Sequence, residues 1–343
     1  MKHYMQLLFT KNSKTQNIFF LLSSIFLLFS ACTSDDGPDI PIPSDNIVQL
    51  IADNPNFSLL ATALERTNLA STLATLRPIT LLAPSNTAFT TYFNSMGISG
   101  IDDIPTENLQ QLLLHHVLEG QFGSTDFIGF KTGYVTTLAK GISQDRNLNV
   151  FFNGDQGVNS SGSAVISFNG GAKITPSGAN RQASNGILHP IDAVIDFATV
   201  ADFIVLDENL AAMEAAMKTS GQPDFISLLQ TSIEDAPAPF TVFVPLNSAF
   251  LLVPATTAME ELTSILNHHI IPDSNMVSQS VTNNLVSPPT LEGDSVRFSV
   301  SGAAISLTDG LGNPNVDLVV LNLQASNGVI HVTNRVLLPN TNN

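Results

Sequence analysis

Three short blocks occur twice in this chain, in the same order. The stretch Thr80-Leu-Leu-Ala-Pro84-Ser-Asn86-Thr-Ala88-Phe89 returns as Thr241-Val-Phe-Val-Pro245-Leu-Asn247-Ser-Ala249-Phe250, with five of ten positions identical. Leu113-Leu114-His115-His116-Val117-Leu118 returns as Leu266-Asn267-His268-His269-Ile270-Ile271. Ala183-Ser184-Asn185-Gly186-Ile187-Leu188-His189 returns as Ala325-Ser326-Asn327-Gly328-Val329-Ile330-His331. A duplication of this kind constrains the plan of the molecule more than any composition could, because it requires two units of like fold in tandem. The blocks lie further apart in the first copy. Part of the excess falls in Asn153 to Ala179, dense in Gly, Asn and Ser, which reads as a loop elaboration on a shared core. The expected units are residues 45–197 and 199–338, followed by a short tail, 339–343.

Within each unit the residues predict an α+β fold. Pro55 and Pro223 sit at expected helix starts, each followed by closely spaced apolar residues. Leu210 to Met217 adds helical material to the second copy. Short apolar strands follow, Ile79 to Ala83 and Phe240 to Val244, ended by Pro84 and Pro245. An Asn-containing turn then presents Phe89 or Phe250 to the core, and Asn86 and Asn247 are expected to bond the turn backbone. In the next helix Thr106 is the expected N-cap. Leu109, Leu112, Leu113, His116 and Val117 fall on one helical face, and Leu262, Ile265, Leu266, His269 and Ile270 repeat the spacing. The second histidine of each pair therefore belongs to the apolar stripe and the first lies off it. Leu148 to Phe152, Val165 to Phe168, Val296 to Val300 and Val316 to Val320 read as strands. Asn185-Gly186 and Asn327-Gly328 are expected to be turns of positive φ that lead into closing strands.

The blocks resemble the two signature segments of the fasciclin domain family, one reading roughly T-x-F-A-P-x-N-x-A-F and the other N-G-x-I-H-x-I-D-x-V-L. Thr80 to Phe89 and Thr241 to Phe250 fit the first, and Asn185 to Ile195 and Asn327 to Leu337 fit the second. His116 and His269 take the place of the family's helical histidine, with His115 and His268 where Tyr is usual. The late Asp of the second segment is kept at Asp192 and becomes Asn334 in the second copy. The resemblance implies two tandem fasciclin-like domains, each a β-wedge or half-barrel sheet flanked by several α-helices. It also implies extracellular adhesion or matrix binding. The motif residues Pro84, Asn86, Phe89, His116, Asn185, Gly186 and His189 are expected to be structural, as are Pro245, Asn247, Phe250, His269, Asn327, Gly328 and His331.

The N-terminus reads as an export signal, residues 1–31. Lys2, Lys11 and Lys14 precede an apolar run from Ile18 to Phe29, too short to span a bilayer. Ser30 and Ala31 then lead to Cys32, the chain's one cysteine. A lone cysteine cannot build a disulfide framework. Phe29-Ser30-Ala31-Cys32 resembles a lipobox, with Phe where Leu is usual, so Cys32 is the expected lipidation site and the membrane a partner through that anchor. Residues 32–44 read as a tether rich in Pro, Asp and Ser. Asp35-Asp36 resembles a tag for the outer surface. The expected location is the outer membrane, exposed at the surface or else facing the periplasm.

Net charge is −16, and without the three N-terminal lysines −19, so phosphate backbones are repelled and no nucleic-acid partner is expected. No P-loop, dinucleotide fingerprint, HExxH or G-x-S-x-G motif occurs. Adjacent residues on a helix point about 100° apart, which makes a histidine pair a poor metal chelate. No catalytic residue, metal or cofactor is expected. The function expected is binding of an extracellular protein or polysaccharide in adhesion. The alternative is glycan capture for nutrient uptake, which the absence of Trp disfavours.

Overall fold

The computed structural model describes residues 43–340 apart from 143, 145, 161, 255 and 256. The export signal, Cys32, Asp35-Asp36, most of the tether and the last three residues of the tail lie outside the described residues.

The first unit opens with three short helices, α1 (Ile47–Ala52), α2 (Ser58–Arg66) and α3 (Leu69–Thr75), and then enters strand β1 (Ile79–Pro84). Asn46 starts α1 with a capping box, its side chain accepting from Gln49 N while the Gln49 side chain accepts from Asn46 N. Helices α4 (Asn86–Met96) and α5 (Thr106–His115) follow, then β2 (Val117–Glu119), α6 (Ser124–Phe130) and the hairpin β3 (Thr132–Lys140) and β4 (Asn147–Asn153). Short strands β5 (Ser167–Phe168), β6 (Ala172–Lys173) and β7 (Arg181–Ala183) lead to β8 (Gly186–Ile191). The eight strands form one sheet in the order β6-β5-β4-β3-β2-β1-β8-β7. Near one edge of this sheet β1 and β8 form a parallel pair, and every other pairing among these strands is antiparallel.

The second unit repeats the scheme. Helices α7 (Val200–Leu206), α8 (Ala211–Met217) and α9 (Phe225–Leu229) precede β9 (Phe240–Pro245), α10 (Asn247–Phe250), α11 (Met259–His268) and β10 (Ile270–Ile271). Strands β11 (Arg297–Ser301), β12 (Ala304–Thr308), β13 (Val316–Ala325) and β14 (Gly328–Thr333) complete a sheet ordered β10-β9-β14-β13-β12-β11. Here β9 and β14 are the parallel pair. Both sheets are curled half-barrels flanked by helices, an α+β architecture. Apolar side chains from α1 to α5 pack on one face of the first sheet around Leu81, Phe89 and Leu113. Phe127, Phe152 and Phe168 fill the other face, their rings meeting edge to face about Phe127.

The units share a buried contact. Tyr134 and Phe151, from β3 and β4, belong by packing to the interior of the second unit, with Tyr134 edge-on to Phe203 at 5.1 Å between ring centres. The Tyr134 hydroxyl donates to Asp207 Oδ2 at 3.1 Å. Burial first, and the Asp207 carboxylate second, push the phenol well above its ordinary pKa, so it remains a donor. Gln324 N donates to Asn149 Oδ1 across the same boundary at 2.8 Å.

Several local expectations need correction. Pro105, not Thr106, occupies the N-cap of α5, and no side chain caps that end. The apolar stripe runs past the helix: His116 is its C-cap and Val117 already belongs to β2. Asn86 and Asn247 do not sit in a turn but open α4 and α10. Of Val165 to Phe168, only Ser167–Phe168 is strand. Strand β13 is twice the expected length, and β3 has no counterpart in the sequence reading.

Candidate functional site

The repeated blocks converge on the parallel strand pair of each unit, and their polar side chains act as backbone clamps. Asn185 Oδ1 accepts from Ile47 N at 2.9 Å, and its amide donates to Leu73 O and Leu76 O. Asn327 does the same with Val200 N, Leu229 O and Thr231 O. Each buried amide thus ties the start of the first helix and the end of the third to the turn of the β7–β8 or β13–β14 hairpin. The glycine that follows is required for a different reason from the one expected. Neither Gly186 nor Gly328, nor the Asn before it, has positive φ. Instead, a Cβ on Gly186 would stand 2.0 Å from Ile79 O, and one on Gly328 would stand 2.3 Å from Phe240 O. The neighbouring parallel strand approaches too closely for any side chain.

Asn86 and Asn247 also reach further than expected. Asn86 Oδ1 accepts from Leu59 N and its amide donates to Pro55 O; Asn247 Oδ1 accepts from Ala212 N and its amide donates to Glu208 O. These bonds cross from α4 and α10 to the opening helices and do not close a turn. Pro84 and Pro245 end the two parallel strands, paired with Ile191 and Thr333. Phe89 and Phe250 are buried.

All six histidines of the described residues are buried. His116 donates from Nδ1 to Leu112 O at 2.8 Å and accepts at Nε2 from Ile195 N at 2.8 Å. His269 makes the matching pair with Ile265 O and Leu337 N. His189 donates from Nε2 to Phe122 O and accepts at Nδ1 from Asn180 N, and His331 repeats this with Met276 O and Asn322 N. In each ring one nitrogen donates and the other accepts, which fixes the neutral tautomer and leaves no lone pair for a metal.

His115 and His268 correct the sequence reading, since they are as buried as their neighbours. Strand β3 covers His115 from the side away from the helix stripe, with Thr137 Oγ1 3.5 Å from its Nδ1 and the Phe197 ring 4.9 Å from its own. Its Nε2 has no hydrogen-bond partner among the described residues. His268 accepts at Nε2 from Gly310 N and lies 3.7 Å from Glu292. Among the described residues no three His, Cys, Asp or Glu converge as a metal site.

Burial holds these imidazoles neutral. It lowers His115 and His269 to a pKa of about 3, and His116 and His331 to about 4, from an ordinary 6.5. The folded pKa lies below the unfolded one, so the unfolded chain binds the extra protons. The stabilisation is complete above about pH 6.5 and is lost as pH falls toward 4 and 3. Each of the four groups should lower stability by about 1.4 kcal/mol per pH unit inside that window. Urea titrations from pH 7 to pH 4.5 should therefore show a steep loss with net proton uptake on unfolding. A flat profile over that range would contradict buried neutral rings.

Two clamps were missed by the sequence reading. Asn180 and Asn322, both of positive φ, accept at Oδ1 from Ser124 N and Ser278 N at 2.7 Å and donate to the hydroxyls of the same serines. Thr80 and Thr241 bridge Gly120 O to Phe122 N and Ser274 O to Met276 N. The signal was present. The third block extends backward as Asn-x-Gln-Ala-Ser-Asn-Gly in both copies, and Thr opens the first block in both.

These clamps hold the walls of a cleft of about 1000 Å³ between the units. Glu119 to Phe122 and the β3–β4 hairpin form one wall, and Ser278, Gln279 and Leu321 to Leu323 the other.

The comparisons with known proteins agree with this architecture. The Fasciclin domain family matches residues 55–197 and 215–339. Transforming growth factor-beta-induced protein ig-h3 of Sus scrofa is 30% identical over 171 residues, 48% of this chain and 23% of that protein. Protein sll1483 of Synechocystis sp. is 28% identical over 149 residues, 41% of this chain and 73% of that one. The chain thus spans under a quarter of the ig-h3 relative. Among solved structures, a FAS1 domain pair from the insect cell adhesion molecule Fasciclin I superimposes with a TM-score of 0.50 at 21% identity, covering 81% of this chain and 92% of that one. With both copies matched and the clamps repeated bond for bond, this chain belongs to the fasciclin domain family.

Proposed function

We propose that the protein is exported, lipid-anchored through Cys32 at the outer membrane, and acts there as an adhesion or binding protein. It would engage extracellular protein or polysaccharide and perform no catalysis. The observation that carries this reading is where the motif residues are placed. The side chains that the repeats specify most strongly are committed to backbone hydrogen bonds, which leaves exposed loops and the inter-unit cleft to meet a partner. The solved relative of like fold comes from a cell adhesion molecule, which supports the same reading. No helix among the described residues is long and apolar enough to cross a membrane, so an anchor at Cys32 would supply the attachment. Val158, 69% exposed in the Gly-, Asn- and Ser-rich stretch that lengthens the first copy, marks one available surface.

Deleting the gene should reduce attachment of the cells to matrix-coated or polysaccharide-coated surfaces. Restoring it as Cys32→Ser should return soluble protein without restoring attachment. Unchanged attachment of the deletion strain on every surface would remove the adhesion reading, and retention of the Cys32→Ser form in the membrane would remove the anchor.

A further inference from the structure

The lining of the cleft between the units holds more cations than acids, against the balance of the chain as a whole. Beyond residue 31 the chain carries 29 acids and ten Lys and Arg. Two of those ten, Lys140 and Arg146, line this cleft together with a single acid, Glu119. Arg146 is partly buried. Neither cation forms an ion pair among the described residues; the pairs there involve Arg66, Lys131, Lys218 and His268. Lys140 Nζ donates to Asn147 Oδ1 at 2.9 Å, and Asn147 donates on to Glu119 Oε1 at 3.1 Å. The one acid is thereby turned toward an amide, while Arg146 lines the same cleft.

We propose that this cleft binds a carboxylate-bearing polysaccharide, such as a chain of uronic acids, with Arg146 and Lys140 receiving the carboxylates. A planar guanidinium matches a carboxylate in a bidentate way, and a neighbouring ammonium adds a point charge. The remaining lining suits sugar hydroxyls, which both donate and accept. Gln121 and Gln279 offer amides that do the same, and Ser278 a hydroxyl. An acidic peptide is the poorer fit, since peptide sites need apolar anchor pockets and this lining is mostly polar. The walls are fixed before binding. Thr80 and His189 hold Phe122 by its backbone, while Asn322 holds Ser278. Little ordering is left for the ligand to impose. In a molecule of this charge, carboxylate ligands are repelled elsewhere and drawn only where cations are grouped.

The inference rests on the binding role proposed above, and it fails separately from it. The full-length protein in nonionic detergent would be titrated calorimetrically with hexagalacturonate, with neutral xylohexaose and with hexa-aspartate. Hexagalacturonate should bind at least about tenfold more tightly than either comparator. Arg146→Gln and Lys140→Gln should each weaken it about fivefold or more, at unchanged melting temperature, while Arg335→Gln, outside the cleft, leaves it unchanged. Absence of hexagalacturonate binding overturns the proposal, as does equal binding of the neutral sugar, tighter binding of hexa-aspartate, or indifference to both substitutions. A deletion strain that loses attachment while the protein ignores hexagalacturonate would overturn the cleft and keep the adhesion reading. Tight binding with normal attachment would do the reverse.

Discussion

Asn185→Asp and Asn327→Asp should each destabilise the unit that carries them by about 4 kcal/mol, although the exchange adds no volume. The amide at each site is a donor to two carbonyls and an acceptor from one N–H. Aspartate keeps the acceptor and loses both donors, so Leu73 O and Leu76 O, or Leu229 O and Thr231 O, face an oxygen. Ionised, the group is a buried charge against two carbonyl dipoles; protonated, it restores one bond of the two. The loss should therefore be larger at pH 8 than at pH 5, opposite in direction to the acid weakening caused by the histidines. Urea denaturation at the two pH values measures this. A loss under about 1 kcal/mol at pH 8 would show that these clamps are not what joins the opening helices to the sheet.

The second large effect is expected at the glycines beside them. Gly186→Ala or Gly328→Ala places a methyl 2.0 or 2.3 Å from a carbonyl oxygen of the adjacent parallel strand. Neither backbone can move alone, because Gly186 pairs with Ile79 and Gly328 with Phe240 at the first rung of the only parallel pairing in each sheet. The strands must part, and the asparagine clamp next to the glycine parts with them. The expected cost is at least about 3 kcal/mol, which for a unit of this size lowers its melting temperature by roughly 6–12 °C. Gly129→Ala is the control: it lies in α6, a Cβ there meets nothing within 4 Å, and the change should be neutral or stabilising by up to about 1 kcal/mol. A Gly186→Ala protein as stable as its Gly129→Ala counterpart would disprove the close approach.

The tandem plan was legible because a repeat survives in short identical blocks even where the residues between them have changed. The role of each block residue was less legible, and the errors share a cause. Asn86, Asn185 and Gly186 suggest local turns by residue type, yet their partners lie tens of residues away in α1 to α3 and β1. Sequence pattern reports periodicity along one element and does not report which other element comes to rest against it. His115 shows the same limit: off the stripe of α5, it is covered by β3, a strand whose Gly-Tyr-Val-Thr-Thr run alternates too weakly to announce itself. Cleft residues such as Arg146 carried no motif, and they acquire meaning only when two units are brought together.

Tyr134 and Phe151 are written in the first copy and packed in the second. The two copies are consequently not interchangeable parts. Transposing them, or expressing the second alone, would leave the interior around Phe203 missing two rings that its own stretch of chain does not encode. What began as a doubling has acquired a direction, with the earlier half finishing the later one.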